Sequence, residues 1–196
     1  MSTRYTAFMT DPTRRRLSEE EYLAFLAASD VRYESIDGFL VRQEDAQSKH
    51  ALIGGNIAVA LHPAARQLGG FVYKSNLRLR LAPPVLPHVT HYFPDVMVSF
   101  DDSPMDALYI SLPCLIVEVV SERTRTIDNV FKASDYLRIP SLHGYLLVET
   151  ATRAARLYTR SGKEWAEQYA EGEGTLSIPC LNIPLSLDAI YRNVPL

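Results

Sequence analysis

The chain has 196 residues, 47% of them hydrophobic and 22% charged, with a formal net charge of -3. That length suits one domain, alone or with a small appendage, and supports a core of useful size. The mildly acidic total excludes a broad surface that coats DNA non-specifically, yet it leaves room for a local basic cleft.

No stretch approaches the ~20 consecutive apolar residues of a membrane span, and the opening "MSTRYTAFMTDPTRRRLSEEEY" lacks an apolar signal core. A soluble, cytoplasmic protein is expected. Cys114 and Cys180 lie far apart in apolar surroundings and show neither zinc spacing nor a disulfide framework. They read as two small buried hydrophobes.

Residues 1–16 read as a tail, with Arg14, Arg15 and Arg16 as a solvated basic flank. "LSEEEYLAFLAAS" is a helix: Ser18 and Glu21 form a capping box, and Leu17 can staple against Tyr22. Its acidic first turn suits the helix dipole, and Tyr22, Leu23, Phe25 and Leu26 give a core-facing stripe. Asp37-Gly38 signals a turn into the strand "FLVRQ". "KHALIGGNIAVALHPAARQLGG" predicts a helix broken near Pro63 and ending at Gly69-Gly70.

"FVYKSNLRLRLA" alternates Leu77, Leu79 and Leu81 with Asn76, Arg78 and Arg80, which predicts one strand with a polar face. "PPVLPHVTH" is a loop. "YFPDVMVSF" and "CLIVEVV" are nearly continuous in hydrophobicity and read as central strands covered on both faces. "RTIDNVFKASDYLRI" predicts a helix that stops before Pro140. "GYLLVE", "AARLYTR" and "WAEQYA" follow as strands, and "SIPCLNIPLSLDAIY" closes with an extended stretch and a short helical turn. The fold class is α/β (α+β): a mixed sheet with helices on its faces.

Glu118 poses the chemical question. It stands inside "CLIVEVV", where an isolated ionised carboxylate costs several kcal/mol or more unless it is paired. Strand alternation puts Glu118 with Ile116 and Val120, and Asp95 with Phe93 and Met97. If the two strands pair, both carboxylates enter one space, where a divalent cation with hard oxygen ligands relieves their repulsion.

On the following helix, Asp128, Lys132 and Tyr136 share one face at i, i+4 and i+8. Asp128 and Lys132 read equally as a surface pair, while a lysine carried back over the strand end can orient an attacking water. Glu34, in "RYESIDG", stands before a turn and is a further acid of interest.

Together, "RYESIDGFL", His50 at a helix start, "FPDVMVSF", "LIVEVVSERTRTIDNVFKASDYL" and "IPLSLDAIY" resemble the Uma-two family of restriction-endonuclease-like proteins, within the PD-(D/E)xK nuclease superfamily. The likeness runs from about Ser18 to Tyr191, and implies a restriction-endonuclease-like domain over residues 17–196. It implies Asp95 and Glu118 as metal ligands on the sheet, with Val119 beside them. Glu34 would reach the metal directly or through water. The superfamily usually carries a lysine two residues after the acid, where this chain has Val120; the resemblance moves that role to Lys132. Tyr136 would support the site or touch the nucleic-acid backbone. The segment before the next strand lacks the family's usual tryptophan, and Glu149 ends that strand.

The activity implied is Mg2+-dependent hydrolysis of DNA phosphodiester bonds, with Mn2+ as a substitute and a homodimer as the expected assembly. Arg78, Arg80, Arg123 and Arg125 are placed to grip phosphates, although each alone reads as solvated charge. The alternative is a nucleic-acid-binding or scaffold protein that kept the fold without catalysis. A third reading takes His88 and His91, in His-x-x-His spacing near Asp95, as transition-metal ligands; their loop setting and missing partners weigh against it. His50, His62 and His143 read as packing or surface residues.

Overall fold

The computed structural model describes residues 15–43, 47–102, 106–122 and 131–196. The first helix, α1 (Glu19–Ala27), starts as its sequence dictates: the Ser18 side chain accepts from the Glu21 amide while the Glu21 side chain accepts from the Ser18 amide. Tyr22 is its buried anchor and donates its hydroxyl to the Tyr33 carbonyl at 2.8 Å. Phe25 stays partly exposed, edge-on to Tyr33.

Two strands follow, β1 (Tyr33–Ile36) and β2 (Phe39–Arg42), paired antiparallel. Their connection requires positive φ at Asp37 (53°) and Gly38 (81°), which is the two-residue hairpin turn that an Asp-Gly pair favours.

The long helix α2 (Ser48–Gln67) buries Ile53, Ile57, Leu61 and Ala65 on one face. It ends at Gly69-Gly70 as expected, the Gly70 amide bonding back to the Ala65 carbonyl at 2.8 Å. The predicted break at Pro63 does not occur, and the helix runs through it. The residue one turn earlier, Val59, is 74% exposed. The carbonyl that loses its partner to the proline therefore faces water, which satisfies it.

The single strand expected over 71–82 is two. Strand β3 (Phe71–Lys74) and strand β4 (Arg78–Leu81) belong to different sheets, separated by a turn. The same division cuts "YFPDVMVSF" into β5 (Thr90–Tyr92) and β6 (Val96–Ser99), with Phe93, Pro94 and Asp95 crossing between sheets. Strands β7 (Tyr109–Ile110) and β8 (Pro113–Val120) repeat the crossing, and all eight residues of β8 are buried.

Helix α3 (Ala133–Tyr136) is the described part of the helix predicted after β8; Asp128 lies outside the described residues. Strands β9 (Gly144–Glu149), β10 (Ala154–Ser161) and β11 (Glu164–Glu171) form the expected succession. A hairpin of β12 (Thr175–Ile178) and β13 (Ile183–Ser186) leads into the terminal turn α4 (Leu187–Ile190). Gly144 is closely packed: a Cβ there would lie 2.9 Å from Leu115 Cδ1 and 3.3 Å from Pro179 Cγ, so a larger residue would require those side chains to shift.

The fold is mixed α+β. One sheet has the order β2-β1-β5-β4-β7, and the other has the order β11-β10-β9-β8-β6-β3 with a parallel β8–β9 pair at its centre. The faces of the second sheet have different covers. Val117, Val119, Leu146 and Val148 pack on Ile53, Ile57 and Leu61 of α2. On the other face, Met97, Ile116, Val120 and Tyr145 pack against Ile36, Leu79, Leu81 and Tyr92 of the first sheet, with Tyr136 of α3 between. A second sheet therefore covers the face where a helix alone was expected.

One cysteine expectation is corrected. Cys114 and Cys180 are not separate hydrophobes but are joined as a disulfide across 66 residues of sequence. Sequence spacing carries no information about this approach, which depends on the C-terminal hairpin folding back over the start of β8.

Ile57 is fully buried at the junction of α2 and the second sheet. Replacing it with alanine should destabilise the protein by about 2–5 kcal/mol, measured by urea unfolding.

Candidate functional site

Glu118 has its partners. Its Oε1 lies 3.1 Å from Lys132 Nζ and accepts from the Tyr136 hydroxyl at 2.9 Å. Lys132 Nζ also lies 3.2 Å from Glu34 Oε1. Glu34 Oε1 in turn accepts from the Phe93 amide at 3.0 Å and from Gln43 Nε2 at 3.1 Å. The ammonium also stands 5.7 Å from the centre of the Tyr92 ring, a cation–π contact. All three charged residues are buried.

The fold explains the convergence. Glu34 shares the inner face of β1 with Ile36, and Glu118 shares the inner face of β8 with Ile116 and Val120, so the two carboxylates face each other across the inter-sheet layer. Lys132, with helical backbone angles at the start of α3, reaches both carboxylates. Tyr136, one turn on, sits edge-on to both Tyr92 and Tyr145. Burial, and then the Glu118 charge, push the Tyr136 hydroxyl well above its ordinary value. It therefore keeps its proton and serves as a donor.

Asp95 occupies the crossover between the sheets. The register pairs Val96 with Val117 and Met97 with Ile116, and Asp95 directly precedes that ladder. Its Oδ2 accepts from the Val119 amide at 2.7 Å and lies 3.1 Å from His50 Nε2. His50 is on the first turn of α2, where the sequence alone suggests a packing or surface role. No spacing signal ties a histidine there to an aspartate 45 positions on.

Among the described residues, no three His, Cys, Asp or Glu side chains form a group that could hold a metal by themselves. The candidate ligands are hard oxygens: the Asp95 and Glu118 carboxylates and the Val119 main-chain carbonyl. One or two carboxylates completed by water and substrate phosphate are what Mg2+ commonly uses. The donor chemistry fits that ion.

The arginines of β4 are not at this site. Arg78 is buried and donates to the Leu108 carbonyl at 3.2 Å, and Arg80 makes two bonds to Glu19, at 2.6 and 2.8 Å. Both project from the outer face of the first sheet, under α1, while Leu79 and Leu81 face the core. Arg123 and Arg125 lie outside the described residues.

His88 and His91 do not converge on a metal. His88 is exposed beside Asp37. His91 is buried against Tyr22, with Nε2 3.0 Å from Glu19 Oε1. Among the described residues its Nδ1 has no partner.

Comparison with known proteins identifies the family and the fold. A family model described as "Uma2: Putative restriction endonuclease" matches residues 19–189. The chain belongs to the Uma2 family. Two relatives come from Synechocystis. "Uncharacterized protein slr1290" is 25% identical over 91% of this chain and 93% of its own, and "Uncharacterized protein sll1609" is 28% identical over 84% and 93%. A crystal structure titled as a putative nuclease belonging to DUF820, from Anabaena variabilis, superposes with TM-score 0.69 at 15% identity, covering 89% of this chain and 97% of that one. That likeness establishes the fold. Among the described residues of this Uma2 protein, no helix is long and apolar enough to cross a membrane.

Lys132→Met strands two buried carboxylates, which should cost about 3–5 kcal/mol in urea unfolding. Adding Glu118→Gln should recover part of that loss.

Desolvation pushes His91 down to about 4, against the opposing pull of Glu19 and with help from Arg78 and Arg80. The unfolded chain therefore binds a proton near pH 6.5 that the folded protein refuses until about pH 4. Stability should fall as pH drops through that window, by up to about 1.4 kcal/mol per pH unit. Glu19, held below its ordinary value chiefly by Arg80, adds loss in the same direction at lower pH. His91→Gln should flatten the slope of unfolding free energy between pH 6.5 and 4.5, measured by denaturant titration.

Proposed function

We propose that this Uma2 protein is a Mg2+-dependent endonuclease that hydrolyses DNA phosphodiester bonds, working in the cytoplasm. The observation that carries the reading is Lys132 Nζ, held 3.1 Å from Glu118 and 3.2 Å from Glu34 in a buried layer, with Asp95 just before the neighbouring strand β6. Carboxylates outnumber ammonium groups in this cluster, so it draws a cation. Asp95, Glu118 and the Val119 carbonyl are the groups that would hold it.

Bound there, Mg2+ or Mn2+ would polarise the scissile phosphate and lower the pKa of a coordinated water. Glu34 accepts two hydrogen bonds and meets the Lys132 ammonium on one oxygen, so we assign it to holding Lys132, with any reach to the ion through water. Lys132 orients the attacking water and offsets charge building on the phosphate. Tyr136 fixes the Glu118 carboxylate by donating to its Oε1. Asp95, with 15% of its side chain exposed against 4% for Glu118, marks the side from which substrate approaches. Arg123 and Arg125, which follow β8 in sequence, are assigned to the substrate backbone. Cutting both strands of a duplex calls for a two-fold homodimer.

Supercoiled plasmid incubated with the protein should be cut with Mg2+ or Mn2+ and left intact with EDTA. Asp95→Ala and Glu118→Ala should abolish cutting, and Lys132→Met should slow it by about 100-fold or more. Folded wild-type protein that binds DNA and leaves plasmid uncut with both ions would instead establish the non-catalytic binding role.

A further inference from the structure

His50 is a group at this site to which the proposed chemistry gives no role. It sits at the first turn of α2, and its Nε2 meets the same Asp95 oxygen that accepts from the Val119 amide, at 3.1 and 2.7 Å. Both contacts fall on Oδ2 and neither on Oδ1. Asp95 itself stands outside regular strand structure, in the crossover from β5 to β6, so no strand ladder fixes its side chain. Its orientation depends on these two donors.

The two donors come from different layers. The Val119 amide belongs to β8, in the middle of the second sheet, while His50 belongs to the helix packed on that sheet's outer face. Gly54, one turn after His50, is buried, and a Cβ added there would lie 3.9 Å from Val119 Cγ2. The helix therefore runs close over the strand at this point, and this brings its first turn to Asp95.

We propose that His50 is a positioning residue for the candidate ion site: together with the Val119 amide it holds Asp95 Oδ2 against β8 and so sets the orientation of that carboxylate. This rests on the endonuclease reading above. The imidazole does not touch the substrate or the reacting atoms. Its effect is to remove the rotational freedom of a ligand before the ion arrives. Supporting groups that hydrogen-bond to metal ligands typically change metal affinity or activity by 10–100-fold when lost. Asn and Gln carry an N–H donor on a shorter or more flexible stem, so they provide a graded replacement.

The test combines a metal-free contact readout with direct ion binding. In the apo protein, Asp95→Asn should shift the His50 ring nitrogen signals in 15N NMR, and Glu118→Gln should shift them less. Mn2+ affinity is then measured by calorimetry and by the electron paramagnetic resonance signal of free Mn2+. His50→Ala should weaken binding by about 10–100-fold, with unchanged circular dichroism, and His50→Gln should restore a substantial part. In the cleavage assay the His50→Ala defect should shrink as Mn2+ is raised, which a general loss of folding would not do.

Wild-type Mn2+ affinity in a folded His50→Ala protein would overturn this role and leave the endonuclease reading standing. Wild-type protein that takes up no Mn2+ would overturn both. A defect equal at all Mn2+ concentrations and unrelieved by glutamine would assign His50 to packing.

Discussion

The structure depends on one buried ammonium. Lys132 stands between a carboxylate of the first sheet and a carboxylate of the second, and arrives on a third element, the short helix after β8. Removing charges from water costs several kcal/mol per ion, and only close opposite charge with additional hydrogen bonds offsets it. The additional bonds are present: Tyr136 to Glu118, and Gln43 and the Phe93 amide to Glu34. Replacing a whole buried charge network by well-packed apolar groups is often neutral or stabilising, whereas removing one member leaves an uncompensated charge.

The sheet switches build this arrangement. Each time the chain crosses between sheets it leaves a short stretch of irregular backbone, and Asp95 occupies one of them. A residue in such a stretch can turn its side chain toward a neighbouring strand's amide in a way that a laddered residue cannot. The same crossings split two hydrophobic runs that look continuous in sequence. They also set the leucines of β4 toward the core and its arginines under α1.

Much of the site was legible because a carboxylate within a fully apolar strand is a physical anomaly. Glu118 demanded a partner, and the i, i+4 relation of Lys132 and Tyr136 allowed both to reach it from one helix face. Asp95 followed from pairing its strand with that of Glu118. The rest was hidden for identifiable reasons. Arg78 and Arg80 look like a solvated polar face, yet Glu19 and the Leu108 carbonyl occupy them. His50, Gln43 and the Phe93 amide join the site through layer packing that no local spacing encodes. The union of Cys114 with Cys180 depends on the C-terminal hairpin closing over β8.

By itself, the sequence determined the local elements: the capped first helix, the Asp-Gly hairpin, the buried strand around Glu118 and the strands after it. These follow from periodicity, capping and turn chemistry, all of which act over a few residues. Only the tertiary structure decided that two sheets rather than one enclose the site, which arginines face away from it, and which donors hold Asp95. Those outcomes depend on where distant segments meet. That is set by the shape of the whole core and by the need of each buried charge for a partner, and neither quantity resides in any short stretch of chain.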